Sequence, residues 1–458
     1  MTLIAARKPW VWIATVVAFL FASPALYAAG VNGQAEAPPL PEDKIVVDID
    51  APEEDLFQIG IPNLIGEPSA RTQEGGAILQ NDFRLMPGFR VIGPSSVTHD
   101  AAGKGLGVDL GAWAMLGANG VIKGLVGGND ASLRVELRFY QGSSGEVPAL
   151  QKTYQGPASD LRKWMHDFAN RVIAVVTGTF GPFGTEIAFA RKHGPGRKSV
   201  YAASMDGHGV RQVSSGQGVS MLPSFGKGSI WYTRMTKRGM FITNTRVGGR
   251  RVIGGQGITM APAICGDRVY FASSRSGNSE IYSSNLDGSG IRRLTRSRGI
   301  DVSPTCGPRG RIAFVSDRHG SPQVFVMNGD GSNVERVTFR GSHNQTPVWC
   351  GDPEQPLIAF SGRDRNFDIF TVNVVTQEYK RLTQGQGDNK DPAFSPDCRL
   401  IAFASDRSGA SGLSLSGQDG LARNLGSGGG AATGRGSRAS RAGGRSAGAG
   451  ASRAGGCG

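Results

Sequence analysis

The 458-residue chain has no hydrophobic run long enough to span a bilayer comfortably. Its apolar stretch from Val11 to Phe21 is short, follows Arg7 and Lys8, and precedes small residues around Ser23–Ala29. This layout predicts a secretory signal peptide over residues 1–29 rather than a membrane anchor. No cysteine lies near the predicted cleavage region, which argues against a lipoprotein. We therefore expect an exported protein that does not span the membrane.

Residues that catalysis would need are also scarce. Six scattered histidines share no position in the sequence pattern (His99, His166, His193, His208, His319 and His343). The one G-x-S-x-G match, at 444–448, lies in low-complexity sequence with no strand before it, so it does not indicate a nucleophile elbow. We expect no catalytic residue, no metal site and no cofactor.

The net charge of +13 would favour nucleic acid or anionic surfaces in a cytosolic protein. Export makes nucleic acid an improbable partner, and no aromatic platform interleaves with the basic residues. Attraction to anionic envelope polymers or lipid headgroups remains open. Many arginines instead belong to a repeat, and we expect them to cover a strand and pair with turn carboxylates.

A β-forming triplet recurs six times at spacings of 43, 39, 43, 46 and 43 residues. The copies are Ile187-Ala188-Phe189, Ile230-Trp231-Tyr232, Val269-Tyr270-Phe271, Ile312-Ala313-Phe314, Ile358-Ala359-Phe360 and Ile401-Ala402-Phe403. A period of about 40 to 45 residues is typical of a four-stranded propeller blade. The sequence therefore predicts an all-β six-bladed propeller over residues 184–425.

Two further series run in phase with the triplets. Prolines precede five of them (Pro223, Pro262, Pro304, Pro347 and Pro392), and an arginine opens the last strand of each unit (Arg211, Arg251, Arg293, Arg336, Arg381 and Arg423). Asp-Gly pairs, as at Asp206-Gly207, suit the positive φ of tight hairpins. Each unit therefore reads as four strands, with Ile and Phe of the triplet on one face.

An α/β domain is predicted before the propeller, over residues 44–178. Strands are expected at 45–49, 57–61, 120–126 and 133–139. A helix follows, capped by Ser159 or Asp160 and ended by Gly178. Its aromatic stripe, which includes Trp164 and Phe168, is expected to be core.

The domain order resembles that of the TolB family. The resemblance rests on a signal peptide, a small α/β domain and blades carrying Ser-Pro-Asp and Ser-Asp-Arg-x-Gly phrases, found at 395–397, 316–320 and 405–409, and it covers roughly residues 1 to 425. It implies a periplasmic component of the Tol-Pal system, which supports outer-membrane integrity and envelope invagination during division. It also implies two protein partners, a Pal-like peptidoglycan-associated lipoprotein and a TolA-like inner-membrane protein.

The Pal-facing surface implied by this resemblance consists of the loops just before each proline, which converge at one end of the ring. Its residues are Ser220, Met221, Ile258, Thr259, Met260, Asp301, Val302, His343, Asn344, Gln345, Thr346, Asp388, Asn389 and Lys390. The alternative is that these are turn residues whose Asp and Asn side chains cap backbone amides. His343 is the one histidine near the expected channel mouth, where it favours a surface hydrogen-bonding role.

The TolA-binding segment implied by the resemblance lies in a flexible mature N-terminus over residues 30–43. Its candidate residues are Gly33, Gln34, Glu36, Pro38, Leu40 and Glu42. Their composition cannot fold alone, which suits a segment that orders on binding. The alternative is an inert linker.

An enzymatic function stays open as a second hypothesis, because propellers accompany some hydrolases and form some lyases. A propeller-based envelope hydrolase or polysaccharide lyase would need a nucleophile elbow or convergent imidazoles and carboxylates. The sequence shows neither pattern.

Five cysteines in an oxidising compartment could form bridges. Cys306 could meet either Cys265 or Cys350 on a facing blade, but sheets pack about 10 Å apart and bridged Cα atoms lie within about 7 Å. We therefore expect buried free thiols.

The C-terminal tail, residues 426–458, is dominated by Gly, Ala, Ser and Arg and is predicted to be disordered. A propeller of this kind normally closes when the C-terminus supplies the innermost strand of the first blade. No such strand is recognisable here. Either the first blade has three strands, or 179–183 substitutes, or the tail is an altered form of an ordinary ending.

Overall fold

A computed structural model describes residues 2–6, 56–96, 105–142, 145, 147–214, 218–350, 356–408, 412–417 and 422–424. An α/β region is followed by a β-propeller, as the sequence predicts. None of the helices in these ranges combines the length and the apolar character of a membrane span. Several predicted features lie outside the described residues: most of the signal peptide, the segment 30–43, the strand at 45–49, and the tail with its G-x-S-x-G match.

The described residues of the α/β region form one six-stranded sheet and three α-helices. The elements after the first strand of the chain are β2 (Phe57–Gly60), β3 (Ile65–Gly66), α1 (Ser69–Leu85), β4 (Phe89–Ile92), α2 (Leu110–Met115), β5 (Gly120–Asn129), β6 (Ser132–Gln141), β7 (Leu150–Gly156) and α3 (Leu161–Thr177). The strand order is β4-β2-β5-β6-β7, and β3 also pairs with β5. β2 is parallel to both neighbours, whereas β5, β6 and β7 form an antiparallel meander.

The predicted strands near residues 57, 120 and 133 and the predicted helix are confirmed. In β6 the alternate residues are buried, because one face of the strand packs against the helices. α3 ends at Gly178, whose φ of 76° is left-handed. Asp160 precedes the helix but makes no side-chain cap. Trp164 stacks on Tyr154, and Phe168 is fully buried, so the aromatic stripe is core.

Sequence analysis missed helix α1, although it supplies much of the core. Its apolar residues are weakly periodic and are interrupted by Gly75 and Gly76, which lower helix propensity. Gly75 has a packing reason, since a Cβ there would lie 2.9 Å from Leu64 Cδ1. The glycine thus lets α1 approach the chain before it.

The propeller strands run in hairpins from β8 onwards. They are β8 (Glu186–Gly194), β9 (Arg197–Ser204), β10 (Arg211–Gln212), β11 (Val219–Gly226), β12 (Ser229–Thr236), β13 (Gly239–Asn244), β14 (Thr259–Cys265), β15 (Arg268–Ser276), β16 (Asn278–Asn285), β17 (Arg292–Arg293), β18 (Asp301–Cys306), β19 (Arg311–Ser316), β20 (Gln323–Asn328), β21 (Glu335–Arg336), β22 (His343–Trp349), β23 (Leu357–Arg363), β24 (Phe367–Asn373), β25 (Tyr379–Arg381), β26 (Asn389–Phe394), β27 (Leu400–Ser405), β28 (Gly412–Gly417) and β29 (Ala422–Asn424). Positive φ at Gly207, Gly288 and Gly331 confirms the Asp-Gly turns.

The described residues of the propeller form five sheets rather than the six separate blades that the repeat predicts. Four sheets hold four strands each, but the first holds seven and contains both of the first two repeat units. The units join because Val219 of β11 pairs in parallel with Lys198 of β9. In the second unit, the predicted last strand is reduced to a single bridge between Ile242 and Ile253. The prediction of six blades was therefore wrong in number.

The triplets pack as their alternation predicts. Ile312 and Phe314 of β19 face one hydrophobic cluster, and Ala313 between them faces the next cluster along the ring. Each sheet thus buries both faces against its neighbours. A single unit alone would leave the apolar side chains of both faces exposed to solvent.

The arginines of the series lie at the predicted positions, but their partners are not the turn carboxylates that the sequence predicted. Arg293 binds Glu280 at 2.6 Å and Arg381 binds Asp368, and both carboxylates are buried on the third strand of their sheet rather than in a turn. Thr295 and Thr383 donate to the same two carboxylates. These arginines therefore hold the third and fourth strands together.

The ring is closed by β1 (Thr2–Ala6), which pairs antiparallel with β8. This strand also contacts the innermost strands β11 and β26 on either side. None of the three closures expected from the sequence is observed, because the edge of β8 is occupied by residues from the start of the chain. These residues lie within the predicted signal peptide.

Two disulfides overturn the expectation of free thiols. Cys265 bonds Cys306, and Cys350 bonds Cys398, each with a Cα–Cα distance of 5.6 Å. The estimate from sheet spacing failed because these cysteines lie at the ends of innermost strands or in the turns after them, where neighbouring sheets converge on the axis. The Cys350–Cys398 pairing was not considered in the sequence analysis.

The α/β region and the propeller share one hydrophobic cluster. It joins Phe168 of α3 to Phe189 of the first repeat and Leu415 of the last. Arg399, which follows the Ser-Pro-Asp phrase, donates to Thr177 Oγ1 and to the carbonyl oxygen of Thr179, both at 2.9 Å. The α/β region thus packs against the first and last repeats of the propeller.

Candidate partner-binding face of the propeller

The predicted Pal-facing residues occupy the beginnings of the innermost strands β11, β14, β18, β22 and β26 and the loops before them. We name the three residues that directly precede the proline of each repeat the first, second and third positions. The chain pairing is the same in all five strands, with a register shift at the third position. The three positions have different surroundings.

First-position side chains are buried, contrary to a role in direct contact. They are Ser220, Thr259, Asp301, Asn344 and Asn389. Asp301 binds Arg318 at 2.9 Å, Asn344 donates to Gln323 Oε1 at 2.8 Å, and Asn389 donates to Asp368 Oδ1 at 3.2 Å. These bonds tie each innermost strand to a neighbouring strand or sheet. Burial raises the pKa of Asp301. Hydrogen bonds with Ser316 and Thr295, and the positive charge of Arg318, partly offset this rise.

Second-position side chains are half-buried and form the part of the predicted set that reaches the surface. They are Met221, Met260, Val302, Gln345 and Lys390. We call them the second-position ring. Three are apolar, and Lys390 pairs with Asp388 at 2.6 Å. This ion pair lowers the pKa of Asp388.

Third-position residues have left-handed backbone, although none is glycine. They are Leu222, Ala261, Ser303, Thr346 and Asp391, with φ between 50° and 56°. Such residues cost of order 1 kcal/mol each and persist where surrounding bonds hold them. Here the backbone N–H of Ala261 donates to Thr233 Oγ1, and that of Asp391 donates to Ser361 Oγ, both at 2.9 Å. Burial raises the pKa of Asp391 to about 6.

Residues just before the first position include exposed apolar side chains. Ile258 is 45% exposed, and Ile300, which the sequence analysis missed, is 50% exposed. His343 of the predicted set is half-buried, contacts Gln345 through Nε2 at 3.1 Å and packs edge-on against Phe367. It is therefore a surface hydrogen-bonding residue, as expected.

The Ser-Asp-Arg phrases position these loops, a role that their spacing could have revealed. Asp317 accepts from the backbone N–H of Ile300 at 2.6 Å, and Asp406 accepts from that of Asp388 at 2.7 Å. Arg318 and Arg407 turn back onto the serine of their own phrase and cover the phenylalanine of the triplet. The phrase thus fixes the loop before the innermost strand of its own sheet.

A basic cavity of about 850 Å³ lies beside Gly218, where the first two repeat units join. Four of its lining residues are cationic: Arg197, Lys237, Arg238 and Arg251. Phe241 contributes an aromatic surface. Within the described part of the chain, none of the four forms an ion pair and no acidic residue lines the cavity. These side chains are therefore available to carboxylates or phosphates of another molecule.

A second cavity of about 330 Å³ lies on the same face and is lined by three arginines, Arg340, Arg363 and Arg381, and by one aspartate. Its Arg381 binds Asp368 and also lies 3.6 Å from Asp364, which lines the cavity. Arg340 stacks on Tyr379. The first cavity, which no acidic residue of the described chain lines, is therefore the less neutralised of the two.

One set of ligand-type side chains comes together elsewhere in the described residues. Asp82, His166 and Asp206 offer atoms within 4.8 Å of one another. Arg162 already binds Asp206, and His166 Nδ1 contacts Asp82 Oδ2 at 2.7 Å. A guanidinium in the cluster repels a metal cation, so the set forms a salt-bridge cluster. Sequence analysis missed it because the residues are distant along the chain.

Two family models match the chain in the order of its two regions. The TolB amino-terminal domain matches residues 45–146, and the TolB β-propeller domain, of PD40 type, matches residues 174–361. Together they cover more than half of the chain.

Curated relatives are similar to parts of the chain. A Tol-Pal system protein TolB of Desulfosudis oleivorans is 34% identical over 51% of this chain and 55% of its own length. One of Geobacter sulfurreducens is 33% identical over 35% of this chain and 36% of its own length. The chain thus spans about half the length, or less, of these relatives.

A solved structure of TolB from Acinetobacter baumannii has the same fold. It superimposes with a TM-score of 0.69 at 22% identity, over 80% of this chain and 92% of that one. The two family matches and the curated relatives place the chain in the TolB family.

Proposed function

We propose that the protein is a periplasmic adaptor of the Tol-Pal type, which binds a Pal-like lipoprotein through the propeller face and a TolA-like protein through residues 30–43. In this proposal it has no catalytic role and supports outer-membrane integrity and envelope invagination during division. The division into an α/β domain at 44–178 and a propeller at 184–425 is part of the proposal.

The observation that carries the proposal is a rigid, partly apolar face on a chain of the TolB family. The second-position ring presents side chains from five innermost strands, and Ile258 and Ile300 add exposed apolar surface. Buried hydrogen bonds beneath these residues fix their backbone, so little ordering would be needed on binding. Such a preformed surface suits recognition of a folded partner.

The basic cavity adds an electrostatic component to the same face. Its four cations would steer acidic groups of the partner toward the chain at Gly218, just before β11. Separated side chains around an open cavity suit carboxylates spread over a protein surface. We therefore include Arg197, Lys237, Arg238 and Arg251 in the proposed contact, although the sequence analysis did not name them.

Binding of purified Pal-like protein to the full chain tests the proposal. We expect Ile300→Asp and Ile258→Asp each to weaken binding about tenfold, because a charge is placed in an apolar contact. Val375→Asp is the matched control, since Val375 is 76% exposed in a turn between β24 and β25, at the opposite ends of the strands. Calorimetric titration gives the dissociation constants.

A charge test separates steering from apolar contact. Arg238→Glu should weaken binding and reduce its dependence on salt, whereas Arg134→Glu on the exposed part of β6 makes the same charge change away from the cavity. Equal affinities for all these variants would contradict the proposed face. Turnover of an envelope polymer by the wild-type chain, without binding, would favour the hydrolase or lyase alternative.

A further inference from the structure

The Asp-Gly turn of the first repeat differs from the same turn in later repeats. In the third and fourth repeats, Asp287 and Asp330 accept from the backbone N–H and hydroxyl of Ser289 and Ser332, within their own turns. In the first repeat His208 replaces the serine. Its backbone N–H donates to one oxygen of Asp206 at 3.1 Å, and the other oxygen is directed to the α/β region.

Asp206 meets a buried cluster on two helices of the α/β region. Its Oδ2 pairs with Arg162 of α3 and lies 3.6 Å from His166 Nε2. On its other ring nitrogen, His166 contacts Asp82 Oδ2 of α1 at 2.7 Å. The side chains of Asp82, His166 and Asp206 are each no more than 4% exposed. One imidazole therefore lies between a carboxylate of each region.

With both carboxylates ionised, the charges of this cluster balance only when the imidazole is protonated. Asp82 and Asp206 supply two negative charges, while Arg162 supplies one positive charge. In the described residues, these three are the charged groups that act on His166. Phe183, from the segment joining the two regions, stacks on the ring with centroids 6.1 Å apart and contributes no charge. Loss of the imidazole proton would leave one uncompensated buried negative charge.

Two buried atoms of the cluster have no hydrogen-bond partner within the described residues, namely Asp82 Oδ1 and His166 Nε2. Unsatisfied buried groups are costly, so this junction is less stable than a fully paired one. A modest change in charge can then shift the equilibrium between a closed state, in which the Asp206 turn contacts α1 and α3, and an open state, in which it does not. Such marginal clusters are suited to switching.

We propose that Asp82, Arg162, His166 and Asp206 form a pH-sensitive catch between the α/β region and the propeller. With His166 protonated, the catch holds the Asp206 turn against α1 and α3. When His166 loses its proton, repulsion between the two carboxylates loosens the junction. The propeller's partner-binding face is not needed for this device, so it can be tested independently of the proposed partners.

The pKa shifts have the sign that the catch needs. The carboxylates of Asp82 and Asp206 raise the pKa of His166 against the opposing effect of burial. Burial raises the pKa of Asp82 to about 6. In both cases the closed state binds protons more tightly than an open, hydrated state. The catch is therefore strongest at mildly acidic pH and is lost as pH rises through the raised pKa of His166.

Hydrogen exchange across the junction of the full chain tests the catch. The backbone N–H of Met205 donates to the carbonyl of Thr185 at 2.9 Å beside Asp206, so peptides covering 203–208 and 81–86 report opening. After correction for intrinsic exchange, we expect protection to fall between pH 6 and pH 8. The fall is about tenfold for each unit by which the closed-state pKa exceeds the open-state pKa.

Asp206→Asn should lower protection at pH 6 and flatten its pH dependence. Asn-Gly also suits this turn, so the hairpin should remain. Asp287→Asn, at the equivalent turn, is the matched control and should leave the junction unchanged. Arg162→Gln provides a second variant if Asp206→Asn folds poorly.

A second readout is NMR titration of histidine-labelled protein. We expect His166 to titrate above about 6.5, the ordinary value for histidine, and to move down in Asp206→Asn. The same pH slope of protection in wild type and Asp206→Asn, or a His166 pKa at or below the ordinary value, would overturn the proposal.

Discussion

The propeller and the α/β region differ in how their stability is built. The propeller repeats one local solution, in which alternating triplets bury both faces of each sheet and an arginine joins the third and fourth strands. The α/β region has one sheet and a core that it shares with the first and last repeats. Repeated contacts are nearest-neighbour contacts, whereas the shared core couples distant parts of the chain. The comparison shows that the first repeat has two roles. It is a unit of the propeller, and it also packs against the α/β region.

The largest expected effect concerns the disulfides, both of which lie in the propeller. Cys350→Ser with Cys398→Ser should lower the free energy of unfolding by about 5 kcal/mol, since the bond closes a 48-residue separation and both sites are buried. Cys265→Ser with Cys306→Ser should cost about 4 kcal/mol because those residues are only half-buried. Denaturant unfolding measures both. Equal losses of unfolding free energy in the two double variants would show that burial of the cysteines does not contribute to the difference.

A core truncation tests whether the two regions unfold together. Phe168→Ala in α3 should cost about 3 to 5 kcal/mol, because the ring is fully buried. The shared core predicts that this loss lowers one common transition in calorimetry. Phe314→Ala, in a cluster confined to the propeller, is the comparison variant. A lowered first transition followed by an unchanged propeller transition would break the proposed coupling.

Removal of the closing strand tests where the ring ends. Deleting residues 1–29 removes β1 and its four residue pairs with β8, at a cost of about 2 kcal/mol. Deleting residues 426–458 should leave the melting temperature nearly unchanged, because β8 already has β1 as its inner partner. Thermal unfolding of both deletions and the full chain provides the measurement. The opposite order of melting temperatures would assign closure to the tail.

The smallest expected effect contrasts two neighbouring aspartates. Asp391 has a raised folded pKa of about 6, so it contributes less stability as pH rises from about 4 through 6. Asp391→Asn should therefore stabilise the protein by about 1 kcal/mol at pH 7, and asparagine also tolerates the left-handed backbone. Asp388 has a lowered pKa, so its stabilising pair with Lys390 is present above the ordinary aspartate pKa and is lost in acid. Asp388→Asn should cost about 0.5 kcal/mol at pH 7.

Measurement of unfolding free energy at pH 4 and pH 7 checks both aspartate variants. The Asp391→Asn difference should shrink at pH 4, where that carboxyl group has gained its proton, whereas most of the Asp388→Asn difference should remain because its pKa lies below the ordinary aspartate value. Changes of the same sign at pH 7 would contradict the opposite electrostatic environments of the two side chains.

Local patterns predicted much of the propeller and less of the α/β region. The triplets, prolines and Asp-Gly turns could be recognised because each repeats, and repetition separates signal from accident. β6 and α3 were found because their burial alternates or recurs at helical spacing. α1 was missed because Gly75 and Gly76 interrupt its pattern. Of the predicted face, the loops were located, but the sequence did not distinguish buried Asn344 from half-buried Gln345.

The amino-acid sequence by itself determined the β-propeller repeat, the order of the two regions and the faces of the triplets, because these depend on residues close together along the chain. Only the tertiary structure decided the joining of the first two units, the disulfide pairs, the closing strand β1 and the cluster of Asp82, His166 and Asp206. Those features depend on how sheets converge at the axis and which turn meets which helix. Distances across the fold set them, and local periodicity carries no information about such distances.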